Sequence, residues 1–576
     1  MLPNSLLPTL LPKPQFRAVV LAGFGVDLFP LVEPPIPSLS AAQNDHPGQA
    51  PASQGQTKAL LPVAGRKMID WVLDRVEQAG VFDVLVLTPA SISKPMGHHV
   101  RARRSTPSSQ SSSSHPTAKV DLEEIPEDVA SRGTVRVLMW AAEKGLITTD
   151  FILLPCDLLL SPSSPLAPSI SLASLLDRHR TDDNLVTTLF STRASGNVRD
   201  ARKQEGPAEI LTVWDKRTER LLDVREMDEF DDDEVPIRTS LLTKYPSPTL
   251  TTNLLPTQLY IFSSVVLPLL RASSTEDDPA LVRRLKQFES VRDLVGWIAR
   301  SNWRKRGTED VALSSCSSSR ASRRHVHNEG GGGGRELAMG RSTTQAPTYR
   351  IDQALVAGST QGGGGGGGGR QPVGSTTSEP QTPGTTTPTP ALVSRHSWLD
   401  SSKSGGPAAS LLAQSGAQSH AQSRSGAGGC KVVVWTDRDG FCARGNTVAG
   451  FVELNRAALK LLPPQTTAPT STPAGVFISP DSHLHPTVYG LLGEKVGIKR
   501  CIVGKNCTIG KNSKLTNSVL MEGCVVGENV KLDNCVVSNG TQIRDRAVLK
   551  DCEFGKDVIV DFDSQLKGEQ LTVGDE

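Results

Sequence analysis

The fold of the C-terminal part is decided by a stretch that reads Cys501-Ile-Val-Gly-Lys-Asn-Cys-Thr-Ile-Gly-Lys-Asn-Ser-Lys-Leu515. Large apolar residues recur here at steps of six, six and five, so the pattern repeats every 17 residues. The large positions are Val503, Ile509, Leu515, Leu520, Val526, Leu532, Val537, Ile543, Leu549, Phe554 and Val560. A small or β-branched residue lies two positions before each: Cys501, Cys507, Ser513, Ser518, Cys524, Val530, Cys535, Thr541, Ala547, Cys552 and Val558. This pattern predicts a hexapeptide parallel β-helix, whose large side chains fill the interior of each triangular coil.

Within the repeat, we interpret the glycines as turn residues and the cysteines as packing residues. Glycine follows the large residue at Gly504, Gly510, Gly527 and Gly555, which predicts a sharp turn in a backbone conformation that favours glycine. Five of the nine cysteines occupy the small position, so we interpret them as packing residues and not as metal ligands. The sequence contains no Cys-x-x-Cys pair, and this predicts a reducing cytosolic or nuclear compartment.

Length and charge narrow the class of protein. The 576 residues are enough for two or three domains and carry a net charge of +2, which gives no reason to expect nucleic acid or an acidic membrane as a partner. The N-terminus has only Lys13 and several prolines before residue 15, a poor secretory signal. No run of about 18 apolar residues occurs. We therefore expect a cytoplasmic protein of the cytosol.

Composition divides the chain into domains and connecting segments. Residues 303–430 are rich in Gly, Ser, Thr and Pro, so we expect a disordered linker. Shorter stretches of the same character, near 34–56 and 101–118, are expected to be disordered insertions in a preceding domain. Residues 431–576 are expected to form the β-helix domain, with core repeats at 496–560.

Residues 1–302 alternate between strand and helix patterns. Apolar runs at 17–22, 84–87 and 151–154 are typical of buried strands, and apolar residues at helical spacing lie between them. This order predicts an α/β fold with a doubly wound, mostly parallel sheet covered on both faces. Ligands of such sheets bind at the carboxyl ends of the strands, so the loops after the first and third strands are the candidate site.

These loops resemble those of the sugar-phosphate nucleotidyltransferases. The matching stretches are Leu21-Ala-Gly-Phe-Gly-Val-Asp-Leu-Phe-Pro-Leu31, Lys58-Ala-Leu-Leu-Pro-Val63, Arg132-Gly-Thr134 and Leu154-Pro-Cys-Asp157. The family reads LAGGxGTRLxPL in its first loop and PKxLLPV in its second, and it holds Mg²⁺ with an aspartate at a strand end. Many members also carry a C-terminal hexapeptide β-helix. The resemblance therefore implies one family for both ends of the chain.

The first loop departs from the family pattern where the phosphates would bind. It is one residue short, its paired glycines are reduced to Gly23 beside the bulky Phe24, with Gly25 next, and Asp27 stands where the family has an arginine. In the family, backbone N–H groups wrap the triphosphate and the arginine neutralises the leaving pyrophosphate. A unit charge at ~5 Å with an effective dielectric of ~20 contributes about 3 kcal/mol. Reversing its sign therefore lowers the rate by about four orders of magnitude.

Lys58 and Asp157 keep the residue types of the family, although both are also common at such positions for structural reasons. We therefore predict a degenerate nucleotide loop with no catalytic residue, no cofactor and no metal. A metal bound by Asp27 is the weaker alternative, because the glycine is lost. Acyltransferase chemistry, the other activity of many β-helix proteins, needs a histidine base. The last histidine, His485, precedes the repeat.

Further stretches resemble the gamma subunits of eukaryotic translation initiation factor 2B. They are Ser131-Arg-Gly-Thr134, Phe151-Ile-Leu-Leu-Pro-Cys-Asp-Leu158, Glu234-Val-Pro-Ile-Arg-Thr-Ser-Leu-Leu242, Asn253-Leu-Leu-Pro-Thr-Gln-Leu-Tyr-Ile-Phe262, Val496-Gly-Ile-Lys-Arg-Cys-Ile-Val-Gly504 and Leu532-Asp-Asn-Cys535. These subunits join a nucleotidyltransferase-like domain to a hexapeptide left-handed β-helix and are not known as transferases. The resemblance spans roughly residues 17–300 and 431–560, and the segment between them departs from it.

The resemblance implies a non-catalytic regulatory or structural subunit. It would pair with a catalytic epsilon-like subunit and support GDP/GTP exchange on initiation factor 2, with no membrane and no direct nucleic acid as partners. The chain reaches Glu576 soon after the repeat, so we expect it to lack the helical catalytic domain of an epsilon subunit. The alternative is an active sugar-phosphate nucleotidyltransferase such as GDP-mannose pyrophosphorylase. An acidic stretch at 228–234 is best interpreted as a solvated loop.

Overall fold

A computed structural model describes eleven parts of the chain, and the expected disordered segments lie mostly between them. The described residues are 16–32, 56–105, 118–163, 170–192, 209–230, 234–271, 279–301, 303, 348–350, 429–462 and 473–573. Of the insertion expected near 34–56, only Gln56 is included. Of the expected linker 303–430, only residues 303, 348–350 and 429–430 are included. The disorder predicted for the rest of both segments lies outside the described residues.

The elements of the first domain alternate between strands and helices. The strands are β1 Arg17–Leu21, β2 Pro62–Val63, β3 Arg66–Lys67, β4 Asp83–Pro89, β5 Lys119–Ile125, β6 Phe151–Pro155, β7 Leu158–Pro162, β8 Val186–Thr192, β9 Ile210–Asp215, β10 Arg220–Glu226, β11 Glu234–Pro236, β12 Thr249–Thr251, β13 Leu254–Phe262, β14 Thr348–Arg350, β15 Cys430–Trp435 and β16 Gly440–Arg444. The helices are α1 Met68–Gln78, α2 Ala90–Ser105, α3 Glu127–Ala130, α4 Thr134–Glu143, α5 Leu172–Thr181, α6 Thr239–Lys244, α7 Leu267–Arg271, α8 Pro279–Leu285, α9 Val291–Ser301 and α10 Val448–Leu461.

Ten of these strands form one mixed sheet in the order β12-β9-β10-β15-β8-β13-β6-β1-β4-β5. Strand β1 pairs in parallel with β4 and β6, and β5 extends the parallel part from β4. Strand β13 is antiparallel to both β6 and β8, whereas β15 is parallel to β8. Strands β1, β4, β5, β6, β8 and β15 therefore run in the same direction. The predicted α/β sheet is confirmed, with antiparallel strands added to its parallel part.

Apolar clusters cover both faces of this sheet. On one face, Leu138 of α4 and Leu294 of α9 are fully buried. On the other face, Ile69 of α1 and Leu175 of α5 are buried just as deeply. A sheet with helices on both faces needs strands that are apolar on both sides, and the short continuous apolar runs of β1 and β6 meet that need.

Strand β15 contradicts the predicted domain boundary at residue 431. We expected the chain from there onward to belong to the β-helix, but Val432 pairs with Thr188 and Trp435 with Ser191 inside the first sheet. Val432 packs on one face of the sheet and Trp435 on the other. Strand β16 then pairs with β7. Strand pairing depends on the tertiary fold and not on distance along the chain, so a strand after a long linker completes the first domain.

Helix α2 corrects a second boundary. It extends to Ser105, so residues 101–105 of the expected insertion are helical. Arg103 donates hydrogen bonds to Asp74 at 2.7 Å and to Glu77 at 3.2 Å, both on α1. These ion pairs fix the last turn of α2 against a neighbouring helix, a tertiary contact that the polar composition of the segment does not reveal. Residues 106–117 lie outside the described part.

The C-terminal part, residues 473–573, forms three parallel sheets. Its strands are β17 Phe477–Ile478, β18 His483–Leu484, β19 Gly497–Lys499, β20 Ile502–Val503, β21 Thr508–Ile509, β22 Lys514–Thr516, β23 Val519–Leu520, β24 Val525–Val526, β25 Lys531–Asp533, β26 Val536–Val537, β27 Gln542–Ile543, β28 Val548–Lys550, β29 Glu553–Phe554, β30 Ile559–Val560, β31 Gln565–Lys567 and β32 Gln570–Leu571. Val503 pairs with Leu520 and Leu520 with Val537, which is the 17-residue period. Every predicted large position and every predicted small position is buried. The hexapeptide parallel β-helix is confirmed.

The glycines of the repeat have a different role from the predicted one. Gly504 and Gly510 do not have a positive φ; instead Asn506 and Asn512 make the left-handed turns, with φ of 56° and 58°. Asparagine tolerates this conformation better than most residues. A Cβ on Gly504 would lie 2.6 Å from the carbonyl oxygen of Met521 in the next coil. Glycine is therefore required there because two coils approach closely.

One face of the β-helix packs on the first domain. Val519 and Val536 point outward from the sheet that contains β23 and β26, yet they are buried in a cluster with Phe451 of α10 and Leu28 of the first loop. The corresponding outward residue Val525, on another sheet, is 43% exposed. Both parts belong to one compact unit. No helix in the described part of the chain is long and apolar enough to cross a membrane.

Candidate functional site

The loop after β1 lies beside the end of β6, as the sequence predicts. Leu21 pairs with Pro155, and the backbone N–H of Cys156 donates to the carbonyl oxygen of Leu21 at 3.1 Å. The parallel pairing of β1 and β6 therefore brings the first loop next to Asp157. This edge of the sheet is where α/β proteins bind their ligands.

The first loop contacts Lys58 through a glycine. Gly25 has a φ of 79°, and a Cβ there would lie only 2.8 Å from the Cβ of Lys58. Gly23 differs, because a Cβ there would meet no atom within 4 Å. Phe24 is half-buried beside it, and Asp27 is exposed in the 3-10 turn Val26–Leu28. Within the described ranges, Asp27 makes no ion pair.

Asp157 is fully buried and is neutralised by two cations. Its Oδ2 lies 2.5 Å from the Nζ of Lys58. Arg444 binds the same carboxylate with two hydrogen bonds, from Nε to Oδ1 and from Nη2 to Oδ2, both 3.1 Å long. Burial alone would raise the pKa of Asp157, but Arg444 and Lys58 outweigh it and hold the pKa well below its ordinary value.

Arg444 is a site residue that the sequence did not reveal. It is 287 residues from Asp157 along the chain. It reaches the site because β16 pairs antiparallel with β7, which places Arg444 opposite Leu158. The backbone N–H of Gly445 also donates to the carbonyl oxygen of Asp157 at 2.9 Å. No local motif marks this arginine, and only the pairing of β16 with β7 identifies it.

Helix α10 also supports the loop that carries Lys58. The hairpin after that loop, β2 to β3, turns at Ala64 and Gly65, with φ of 48° and 78°. Asn455 of α10 is fully buried, and its Oδ1 accepts a hydrogen bond of 2.9 Å from the Ala64 N–H. Its Nδ2 donates to the carbonyl oxygen of Phe451. The segment after the linker therefore supplies both Arg444 and a brace for the Lys58 loop.

The chemistry of the Asp157 site is limited by these contacts. A divalent cation such as Mg²⁺ needs oxygen ligands with free lone pairs. At Asp157, two side-chain donors from Arg444 and the ammonium of Lys58 take three of the roughly four lone-pair sites of the carboxylate. Cys156 offers no nucleophile, because burial raises the pKa of its thiol to about 12 and the thiol stays protonated. Within the described residues, no group of three His, Cys, Asp or Glu side chains is arranged to hold a metal.

The fold is a nucleotidyltransferase-like, mostly parallel sheet followed by a parallel β-helix. The MobA-like NTP transferase domain family matches residues 52–218, and the GMPPB C-terminal domain family matches residues 474–572. The chain is similar to the translation initiation factor eIF2B subunit gamma of Schizosaccharomyces pombe, with 25% identity over 292 residues. That alignment covers 50% of this chain and 52% of the yeast protein. The chain thus spans about half the length of the curated relative it matches.

The two family matches cover only part of the candidate site. The MobA-like match includes Lys58 and Asp157, but it begins after the first loop and ends before Arg444. The GMPPB C-terminal match covers the β-helix strands β17 to β32 and also omits Arg444. The arginine that binds Asp157 therefore lies outside both matched regions.

Proposed function

We propose that this protein is a non-catalytic, gamma-type subunit of a translation initiation factor 2B complex. It pairs with a catalytic epsilon-like subunit and supports GDP/GTP exchange on initiation factor 2, in the cytosol. The similarity to the yeast gamma subunit supports this assignment. The two-part architecture, in which a β-helix packs on a nucleotidyltransferase-like domain, is consistent with it.

The observation that carries the proposal is the pair of hydrogen bonds from Arg444 to the Asp157 carboxylate. In the nucleotidyltransferases that the sequence resembles, the aspartate at this strand end holds Mg²⁺. Here a metal would have to displace an arginine that binds both carboxylate oxygens. Such a metal would itself neutralise the carboxylate, but it would leave the guanidinium of Arg444, whose side chain is 17% exposed, without its partner, at a cost of up to about 3–5 kcal/mol. The competition between Arg444 and a metal for this carboxylate supports the proposal that Asp157 is a structural counterion.

The first loop supports the same conclusion. Asp27 brings a negative charge to the region where a triphosphate would bind, and Val26 beside it is 62% exposed. Phe24 further separates the two glycines that would let a phosphate approach the backbone. Each change weakens phosphate binding, and both lie outside the region that matches the NTP transferase family.

A second candidate function is active sugar-nucleotide synthesis, as in GDP-mannose pyrophosphorylase. The observation that favours it is the MobA-like NTP transferase match, which includes both Lys58 and Asp157. In that case Lys58 would leave Asp157 to contact a phosphate, and Arg444 would have to release the carboxylate when Mg²⁺ enters.

Pyrophosphate release separates the two functions. The purified full chain is incubated with Mg²⁺, GTP and a panel of sugar phosphates, and pyrophosphate is measured against a Lys58→Ala control. We expect no turnover above the control. Clear turnover that is lost in the control would refute the proposal and favour the transferase.

Affinity purification from the native cells tests the proposed partners. The expected result is recovery of an epsilon-like subunit together with initiation factor 2. If neither is recovered under conditions that preserve other initiation complexes, the proposed assignment is wrong.

A further inference from the structure

A cavity of about 740 Å³ lies where α10 meets the first coils of the β-helix. Arg456 and Lys460 of α10 line one side, and His483, Arg500 and Asn517 of the β-helix line the other. This volume is in the range of pockets that bind small molecules. The cavity shares no residue with the site around Asp157.

The charges around this cavity favour an anion. Arg456 and Lys460 are four residues apart, so their side chains lie on the same face of α10. Arg500 brings a third positive charge from the β-helix, and Asp481 is the single carboxylate in the lining. Three cations and one carboxylate leave a net charge of +2 with His483 neutral. Burial and the neighbouring His485 lower the pKa of His483, which favours the neutral ring.

The lining also contains a buried polar atom that lacks a partner. Among the described residues, the Nδ1 of His483 is buried and makes no hydrogen bond. Buried polar atoms in native proteins are nearly always satisfied by protein, water or ligand. Leu459, Leu462 and Pro480 give the same cavity an apolar wall. The buried Nδ1 has almost no accessible surface, so only the cations and the apolar wall define the ligand, which has a charged end and a less polar body.

Arg456 connects the two sides of the cavity by a hydrogen bond. Its Nη2 donates a hydrogen bond of 2.8 Å to the Oδ1 of Asn534, so α10 is already attached to the β-helix at this point. Lys460 and Arg500 are exposed at the cavity and belong to opposite sides of the junction. An anion held between them would contact both domains and stabilise their contact.

We propose that this cavity binds a phosphorylated small molecule. The phosphate lies between Lys460 and Arg500, and the rest of the ligand lies along Leu459, Leu462 and Pro480. Cationic side chains form strong, charge-assisted hydrogen bonds with phosphate oxygens. The bound ligand joins α10 to the β-helix and so acts at the junction of the two domains, away from the nucleotidyltransferase-like loop.

Isothermal titration of the purified full chain tests this proposal with three probes: inorganic phosphate, GTP and mannose 1-phosphate. We expect saturable binding of at least one probe. Arg500→Ala and Lys460→Ala should each weaken it about tenfold, the factor that corresponds to one charge-assisted hydrogen bond. Lys514→Ala is the matched control, because Lys514 is exposed, does not line the cavity and loses the same charge. Its affinity should equal that of the wild type.

The three probes distinguish the sources of the phosphate. Binding of all three supports the proposal with the phosphate group as the main determinant, whereas binding of GTP or of the sugar phosphate alone supports it with selectivity for the body of the ligand. Both pocket variants remove exposed side chains, so thermal unfolding should match the wild type without ligand. The proposal is overturned if no probe binds at millimolar concentration, or if both pocket variants bind as tightly as the wild type.

Discussion

Replacing Arg444 by alanine should destabilise the first domain more than the loss of an exposed ion pair does. Asp157 is fully buried, and the substitution removes both hydrogen bonds of 3.1 Å from its carboxylate. Loss of one partner from a buried ion pair costs about 3–5 kcal/mol. Lys58 stays 2.5 Å from the carboxylate and keeps part of the neutralisation. We therefore expect a loss near the lower end, about 3 kcal/mol of unfolding free energy.

Arg546→Ala is the matched control. Arg546 also forms an ion pair with an aspartate, at 2.7 Å from Asp563, but the two side chains are 62% and 60% exposed. Exposed pairs contribute about 0–1 kcal/mol. Urea unfolding followed by far-ultraviolet circular dichroism, which reports on the first domain and on the β-helix, gives the midpoint and the free energy of unfolding for each variant. If Arg444→Ala costs no more than Arg546→Ala, Asp157 is not held by Arg444 in solution.

The same variant should also change the response to acid. The pKa of Asp157 is lowered in the folded chain, so its stabilisation is fully present above the ordinary aspartate pKa of about 4 and is lost only as pH falls through the lower folded value. Without Arg444, burial acts on a less neutralised carboxylate and raises its pKa. Acid unfolding, followed by circular dichroism, should then begin at a higher pH in Arg444→Ala than in the wild type. Coincident acid transitions would refute this account.

Three further predictions concern the glycines, the domain junction and the Lys58 loop. Gly504→Asn should destabilise the β-helix by about 1–3 kcal/mol, because its Cβ would lie 2.6 Å from the Met521 carbonyl oxygen. Gly523→Asn should be tolerated, because Gly523 has a φ of 71° and open space around it. Thermal unfolding compares the two variants, and equal effects would contradict the close-approach explanation. Val519→Asp should lower the melting temperature and expose the junction to limited proteolysis, while Val525→Asp, at an exposed position, should do neither. Asn455→Ala should cost about 1–3 kcal/mol in urea unfolding by leaving a buried N–H without its acceptor; an unchanged midpoint would show that water replaces the side chain.

The β-helix could be predicted almost completely from the sequence, because its order is local and periodic. Each coil contacts the next 17 residues along the chain, so the spacing of Val503, Leu520 and Val537 already describes the pairing. The sequence predicts a turn at the glycines of the repeat, whereas the structure shows that Gly504 is needed for the close approach of two coils. Sequence spacing marks where a side chain is absent, and only the backbone distance between coils shows why Gly504 must lack a Cβ.

The candidate site was predicted in part. The order of strands and the family resemblance brought Lys58 and Asp157 to one sheet edge, and the structure places their charged atoms 2.5 Å apart. Asp27, whose negative charge is predicted to oppose phosphate binding, is exposed in its turn. It does not contact the ion pair of Lys58 and Asp157. Nothing near residue 157 indicated a partner from the far side of the linker.

By itself, the sequence determined the elements whose signals repeat or stay local: the coils of the β-helix, the buried parallel strands and the loops at their ends. Only the tertiary structure decided that β15 belongs to the first sheet, that one face of the β-helix packs on α10, and that Arg444 neutralises Asp157. The reason is physical. Hydrophobic periodicity is a property of neighbouring residues, whereas a buried charge requires an opposite charge at the right place in space, and the chain can supply it from 287 residues away.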